Sequence, residues 1–417
     1  MEHSQYSGRY NLEPRSNTNP KIFQKINSII TEQLNIQSDL TTRPENISFF
    51  EEIIRNPIQT INLPLIGTFC NMIPFEIIRA MGAHPIRMGC GNPSAVSVGE
   101  EIIPGDVCPL VKASVGMSLI EGSIISKVLA FIIPTSCDAK KKLGDVLSDF
   151  KPVFMLNLPP EQNAYLYLKS AEKELKRMIT FLEKNLGLKL NRKKLSNEIK
   201  SANRKTKIFR HIQELRNSHP YLLSIRDLFL IVQSSFFRQD EFWLREVEKV
   251  YAWLESKSKK ERAEKFPKKR VILTGAPLIF PNFKILNVIE ESGAEVVADT
   301  LCTGVHSCFD PIVVDEGWTG ALLRSLAMKY VFASICPCFI SQDSKLNRII
   351  DLVREFKADG VINHALRLCQ LCDMENYRTH QILRKNQIPI LDVRTDYSLE
   401  DTEQLRVRIE AFLETLP

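Results

Sequence analysis

Ten cysteines, at positions 70, 90, 108, 137, 302, 308, 336, 338, 369 and 372, are the residues of this chain best suited to chemistry. None falls between 138 and 301, a gap that scattered core thiols would not leave. The sharpest local signals are CPC (336–338) and CQLC (369–372). Thiolates are soft ligands, suited to zinc or to iron–sulfur clusters. CxxC alone fits a redox dithiol or half of a zinc site, and a structural zinc normally closes with four ligands on short loops. Here the thiols stand at the ends of many separate apolar runs. That spread favours iron–sulfur ligation, with zinc and core or redox thiols as the alternatives. Cytosolic thiols are kept reduced, so a disulfide framework is not expected.

The elements that must position these thiols are strands followed by helices. In LAFIIPTSCDAKKKLGDVLSDFKPVF (129–154) an apolar run ends at Pro134 and a polar turn carries Cys137 and Asp138. An amphipathic helix then leads to a second apolar run. This is half of a parallel α/β unit, with its thiol at the carboxyl end of a strand, where open α/β sheets hold their ligands. Upstream, LPLIGTFC (63–70) reads as a strand, 74–82 as a helix and HPIRMGC (84–90) as a strand, while Cys108 precedes Pro109 at a helix start. A second α/β region begins with RVILTGAP (270–277). Helix 282–292, strand 294–300 running into Cys302, a helix near 320–330, CPC and helix 343–357 follow. Strand 359–366 then leads into CQLC, and helix 374–386, strand 389–394 and helix 401–415 close the chain.

The two regions read as weak repeats, with SCDAKKK matched to LCDMENY, which pairs Cys137 with Cys372. Two such domains facing each other would bring their cysteine-bearing turns to one cleft. The expected fold is therefore α/β, with two Rossmann-like parallel-sheet domains facing a metal-cluster cleft. The boundaries are a disordered lead-in (1–20), an N-terminal helical segment (21–57), a first α/β domain (58–160), a helical layer (161–267) and a second α/β domain (268–417). The layer, helical over 162–186, 191–216, 222–236 and 240–258, is expected to carry no chemistry of its own. The basic run 257–270 reads as a solvated linker.

The 417 residues carry a net charge of +6, too mild for a dedicated nucleic-acid binder. No apolar run approaches the roughly 18–20 residues of a membrane helix. The polar N-terminus lacks the apolar core of a secretory signal, so a cytoplasmic location is expected. There is no GxGxxG after a strand and no P-loop, so neither an NAD nor an ATP site is supported on this chain. His84 reads as structural, whereas His306 and His364 lie near thiol-bearing turns. Spacing identifies no acid–base residue. Asp138 is the expected helix cap, and Lys140–Lys142 the solvated face behind it.

The runs CNMIPFEIIRAMGAHPIRMGC (70–90), CPLVKASVG (108–116), TSCDAKKK (135–142) and DYSLEDTEQLRVRIEAFLE (396–414) resemble the 2-hydroxyacyl-CoA dehydratase and benzoyl-CoA reductase subunit family. The resemblance covers roughly 60–160 and 268–417. Cys302-Thr-Gly, CPC and Cys369 look closest to its double-cubane branch of ATP-dependent anaerobic reductases. The resemblance implies an oxygen-sensitive enzyme that reduces or dehydrates a small substrate, with a cluster between two Rossmann-like domains. It implies an activator ATPase with its own iron–sulfur cluster, which delivers low-potential electrons, and a homodimer or a heterodimer with a related subunit. Cys108, Cys137 and Cys369 are by resemblance the three shared ligands, with Cys70, Cys336 and Cys338 as additional ones. Cys372 joins the candidate set as a thiol this chain adds. The chain has no further cysteine between Cys108 and Cys137, and Ala276 stands where related chains can carry one. A 4Fe-4S cluster and an 8Fe-9S double cubane both stay open. A non-catalytic electron-transfer subunit and a zinc-stabilised α/β binding protein are the competing readings.

Overall fold

The computed structural model describes residues 20–38, 42–58, 61–120, 123–260 and 268–417. Residues 1–19 of the expected lead-in and 261–267 of the basic run lie outside them. Short apolar runs bounded by proline, glycine or polar turns form eight strands in two sheets. The first contains β1 (Leu65–Thr68), β2 (His84–Arg87), β3 (Ala130–Pro134) and β4 (Val153–Leu156), in the order β2-β1-β3-β4. The second contains β5 (Lys269–Gly275), β6 (Ala294–Asp299), β7 (Gly360–Leu366) and β8 (Ile390–Thr395), in the order β6-β5-β7-β8. All pairings are parallel.

The two sheets share one strand order, so each has its switch point between its first and third strands. Crevices at the carboxyl ends of such strands are where open α/β sheets bind ligands. Every residue of β3, β6 and β7 is buried, as expected of parallel strands covered on both faces. The fold is that of two Rossmann-like parallel-sheet domains.

The topology corrects the internal repeat in one place. Cys137 lies three residues after the end of β3, and Cys369 lies three residues after the end of β7. The equivalent of Cys137 is thus Cys369, not Cys372. Leu368 adopts a left-handed conformation (φ 65°) that turns the chain early. The following helix then starts at Gln370 rather than 374 and takes Cys372 into its first turn.

Four long helices form the layer between the domains in sequence: Ala164–Leu186, Arg192–Ser218, Ile225–Ser234 and Glu241–Ser258. Asn163, Asn191, Ser224 and Asp240 cap their N-termini through side-chain oxygens. The helix Arg192–Ser218 belongs to two cores. Leu195, Ile199 and Ala202 pack in the apolar cluster of the first domain, while Ile208, Phe209 and Ile212 pack in that of the second.

The β2-to-β3 crossover includes two helices, Pro93–Gly99 and Pro109–Leu119, that meet backbone to backbone. A Cβ on Gly116 would stand 1.8 Å from the Ala95 carbonyl oxygen, and one on Gly99 2.0 Å from that of Lys112. This contact fixes the start of the second helix, and with it Cys108. Gly116→Ala should therefore cost about 1–3 kcal/mol through overpacking, read as a lower urea midpoint followed by circular dichroism.

Candidate metal centre

The carboxyl ends of the strands open on a cavity of about 830 Å³, lined from both domains. Nine of the ten cysteines lie on its wall: 70, 108, 137, 302, 308, 336, 338, 369 and 372. All seven thiols proposed from the sequence are among them, joined by Cys302 and Cys308. Cys90 is not on the wall, and burial pushes its thiol up to about 11. All ten are free thiols.

Three thiols share one local environment. Cys108, Cys137 and Cys369 are the N-cap residues of the helices Pro109–Leu119, Asp138–Leu147 and Gln370–Lys385. Helix N-termini favour negative charge and so favour thiolate. The Cys137 sulfur accepts the Lys140 backbone N–H at 3.4 Å. This corrects the expected cap: Asp138 is the first helical residue, its side chain is 95% exposed, and it pairs with Lys141 at 3.0 Å. The extended backbone of Cys137 (φ −157°) places its own sulfur over the helix end instead.

The other thiols are held by neighbouring loops. Cys70 follows β1 and is buried. Cys336 and Cys338 lie in the loop after a π-helical turn, Met328–Phe332. Gln162 fixes that loop by donating its amide to the carbonyls of Val331 (3.0 Å), Phe332 (3.1 Å) and Ser334. Cys302 is gripped by Arg87, which donates to its carbonyl at 2.7 Å and to its sulfur at 3.4 Å. The guanidinium lies 4.4 Å above the Phe236 ring, so a first-domain cation is locked against a second-domain thiol.

Burial pushes Cys137 and Cys302 up, toward the neutral thiol. Cys369 moves the other way, to about 3, because Cys108 and then Cys372 donate hydrogen bonds to its sulfur. Lys140 also departs from expectation. Instead of joining a solvated face, it lies on the cavity wall. Burial opposes its charge, but the neighbouring Cys70, Cys137, Cys336 and Cys302 overcome this and raise its pKa. Lys141 and Lys142 remain solvated at the mouth, 53% and 82% exposed.

The helical layer, expected to carry no chemistry of its own, contributes Lys205, Ser235, Phe236 and Gln239 to the wall. Its shared helix passes beside the cavity as it crosses between the domains. Glu76, Tyr330, Lys329, Asp310 and His306 complete a polar corner beside Cys308. Burial holds His306 near 4. His364 is not on the wall. It is buried, lies 3.4 Å from the Ala276 carbonyl and is likewise held near 4. His84 contacts the Phe237 carbonyl at 2.6 Å.

Spacing missed Arg87, Lys205, Glu76 and Tyr330. Arg87 and Glu76 left a faint signal, as charges inside otherwise apolar segments. Lys205 left none among the many basic residues of its helix. Among the described residues no three His, Cys, Asp or Glu side chains converge as they would on a single ion. No helix there is long and apolar enough to cross a membrane.

Two parallel sheets of one strand order, meeting at a cavity walled by reduced thiols, define an α/β protein with a soft-ligand donor set. The chain belongs to the family described as 2-hydroxyglutaryl-CoA dehydratase, D-component, which matches residues 70–416. It is 28% identical over 358 residues to the putative dehydratase subunit YjiM of Escherichia coli (strain K12), covering 85% of this chain and 92% of that one. It is 23% identical to the (R)-phenyllactyl-CoA dehydratase beta subunit of Clostridium sporogenes (88% and 97% covered). To a benzoyl-CoA reductase subunit of Thauera aromatica it is 21% identical (82% and 88% covered).

Two outcomes test this electrostatic account. Lys140→Met removes the ammonium that favours the nearby thiolates, so thiol alkylation at pH 8 should slow several-fold. His364 is neutral in the fold, whereas the unfolded chain protonates below about 6.5. Its contribution is therefore complete above that pH and is lost as pH falls from 6.5 toward 4. His364→Gln should reduce the loss of stability between pH 7 and 5 by about 2 kcal/mol, measured by urea unfolding at both values.

Proposed function

We propose that this chain is an iron–sulfur enzyme subunit. In this reading it takes low-potential electrons from a separate ATP-hydrolysing activator, which carries its own iron–sulfur cluster, and reduces or dehydrates a small substrate in the cytoplasm. The observation that carries the proposal is the convergence of nine free thiols, from both domains, on one cavity. The donor set fits the group, because iron–sulfur clusters are held by cysteine thiolates. Cys108, Cys137 and Cys369 would hold a 4Fe-4S cluster, and Cys70, Cys336, Cys338 and Cys372 supply enough further thiols for an 8Fe-9S double cubane. When bound, the cluster supplies one-electron redox chemistry and an iron able to polarise a substrate oxygen.

The rest is the work of the chain's own residues. Three helix N-termini, Lys140 and Arg87 offset the charge that deprotonated thiols bring to a buried site. Ile73, Val107 and Leu110 present apolar surface on the same wall, which lowers the local dielectric and strengthens those interactions. Because Cys137 and Cys302 are held protonated by burial, ligation must release protons, and loading should strengthen as pH rises. The dehydratase and reductase relatives are named as subunits, which supports assembly with a second copy or a related subunit.

Anaerobic purification followed by iron, sulfide and zinc analysis with EPR tests the proposal. About four irons per chain correspond to one cubane and about eight to two. Zinc without iron would overturn the reading. Cys137→Ser and Cys369→Ser should each lose most of the iron, and Cys90→Ser should keep it. With activator and ATP, a dehydratase needs only catalytic electrons and a reductase consumes them stoichiometrically. Iron-loaded protein that turns over nothing with activator present would leave only an electron-transfer role.

A further inference from the structure

Behind the thiol wall stands a buried hydroxyl without a partner. Tyr397 follows β8 and is 3% exposed, yet its hydroxyl makes no hydrogen bond among the described residues. It does not line the cavity. The ring packs in the apolar cluster that contains Phe69, Val111 and Phe131 of the first domain, and Cys90, Cys108 and Cys369 pack against the same cluster. The charges that act on its hydroxyl are those of these three thiols, Cys108 foremost. A phenol buried in this way costs free energy, and buried tyrosines usually find an acceptor.

The turn that carries Tyr397 is tied down on both sides. Lys284 donates to the Ser398 carbonyl and pairs with Asp401 at 2.5 Å. Arg367 pairs with Asp396 at 3.3 Å and with Asp401 at 3.0 Å, and the Thr395 hydroxyl donates to Asp401 at 2.8 Å. These bonds press a second-domain side chain into first-domain packing, where its hydroxyl gains nothing in return.

What changes at this wall is the charge on sulfur. A neutral thiol is a weak acceptor, and in the metal-free chain Cys108 and Cys372 direct their own S–H groups at Cys369. Ligation deprotonates the thiols, so those S–H donors vanish and the sulfurs become anionic acceptors. The Tyr397 hydroxyl keeps its proton and is already buried beside them.

We propose that Tyr397 is a positioning residue of the redox centre: its hydroxyl donates a hydrogen bond to the Cys108 sulfur once that sulfur binds iron, and so raises the reduction potential of the centre. This rests on the reading that the thiols hold an iron–sulfur cluster. Reduction adds negative charge, and a hydrogen bond to sulfur stabilises the more negative state, so losing the donor lowers the potential.

Tyr397→Phe removes the hydroxyl and keeps the ring. Anaerobically reconstituted wild type and variant are compared by iron analysis, by EPR-monitored redox titration and by electron–nuclear double resonance after exchange into heavy water. At equal iron content, the variant's ratio of reduced to oxidised cluster at the wild-type midpoint should fall about threefold or more, the scale of one hydrogen bond. The wild type should show an exchangeable deuteron coupled to the cluster that the variant lacks. Fluorination of the Tyr397 ring, which strengthens the donor, should move the potential the opposite way. Urea unfolding of the iron-free protein excludes a merely structural role: there the hydroxyl has no acceptor, so Tyr397→Phe should leave the midpoint unchanged or raise it. Iron-loaded proteins with equal potentials and the same deuteron coupling would overturn the proposal and leave the cluster standing. A wild type that acquires no iron would overturn both, and the iron analysis tells the two failures apart.

Discussion

Asn203 holds the backbone of Ile312 from both sides, donating to its carbonyl at 2.8 Å and accepting its N–H at 2.7 Å. Further along the same helix, Gln213 donates to the Val297 carbonyl and Arg216 pairs with Glu295 at 2.8 Å. Ile312 itself packs in the core of the first domain, so the Asn203 contacts anchor the helix there, while those of Gln213 and Arg216 join it to the second sheet. With one rigid element belonging to both cores, the two sheets cannot rotate apart without exposing apolar surface. The cavity wall, drawn from both sides, inherits that rigidity. Arg87, reaching from β2 to Cys302, adds a polar tie across the same gap.

Such rigidity matters because the wall gathers groups that repel or destabilise one another. Nine thiols share a confined space with lysines, an arginine and carboxylates. Burial favours the neutral thiols, while helix N-termini and Lys140 favour thiolates. The balance falls differently at each position: Cys369 is acidic, whereas Cys137 and Cys302 stay protonated. Electrostatic graining of this kind requires fixed distances, because Coulomb terms in a poorly solvated site change steeply with separation.

Much of this was legible in the sequence. The strands and helices that carry Cys70, Cys137, Cys302 and Cys369 follow from apolar runs broken by proline and polar turns, and the equality of the two halves from their parallel order of elements. What stayed hidden depends on direction rather than type. Lys140, Lys141 and Lys142 are chemically identical, and only helix phase separates the one facing thiols from the two facing water. Cys-Asp recurs before two helices, yet Leu368 shifts the second helix start and so exchanges the roles of Cys369 and Cys372. Glu76 and Tyr330 lie far apart in sequence, and no periodicity links them. The lysines of the shared helix form a uniform basic pattern from which Lys205 cannot be singled out.

The identical strand order of the two halves also bears on how the chain reaches its final form. Each sheet draws its strands from its own stretch of sequence, so its pairings need only moderate loop closure. The cavity joins residues from opposite ends of the chain and pays the largest closure entropy. It therefore belongs to the last stage of folding, after both halves and the helix between them have formed. Until then the thiols stand in open turns, accessible to solvent and oxidants, and domain docking is the event that sequesters them. The order of folding thus sets the interval in which these thiols are exposed, one that closes when the two halves meet.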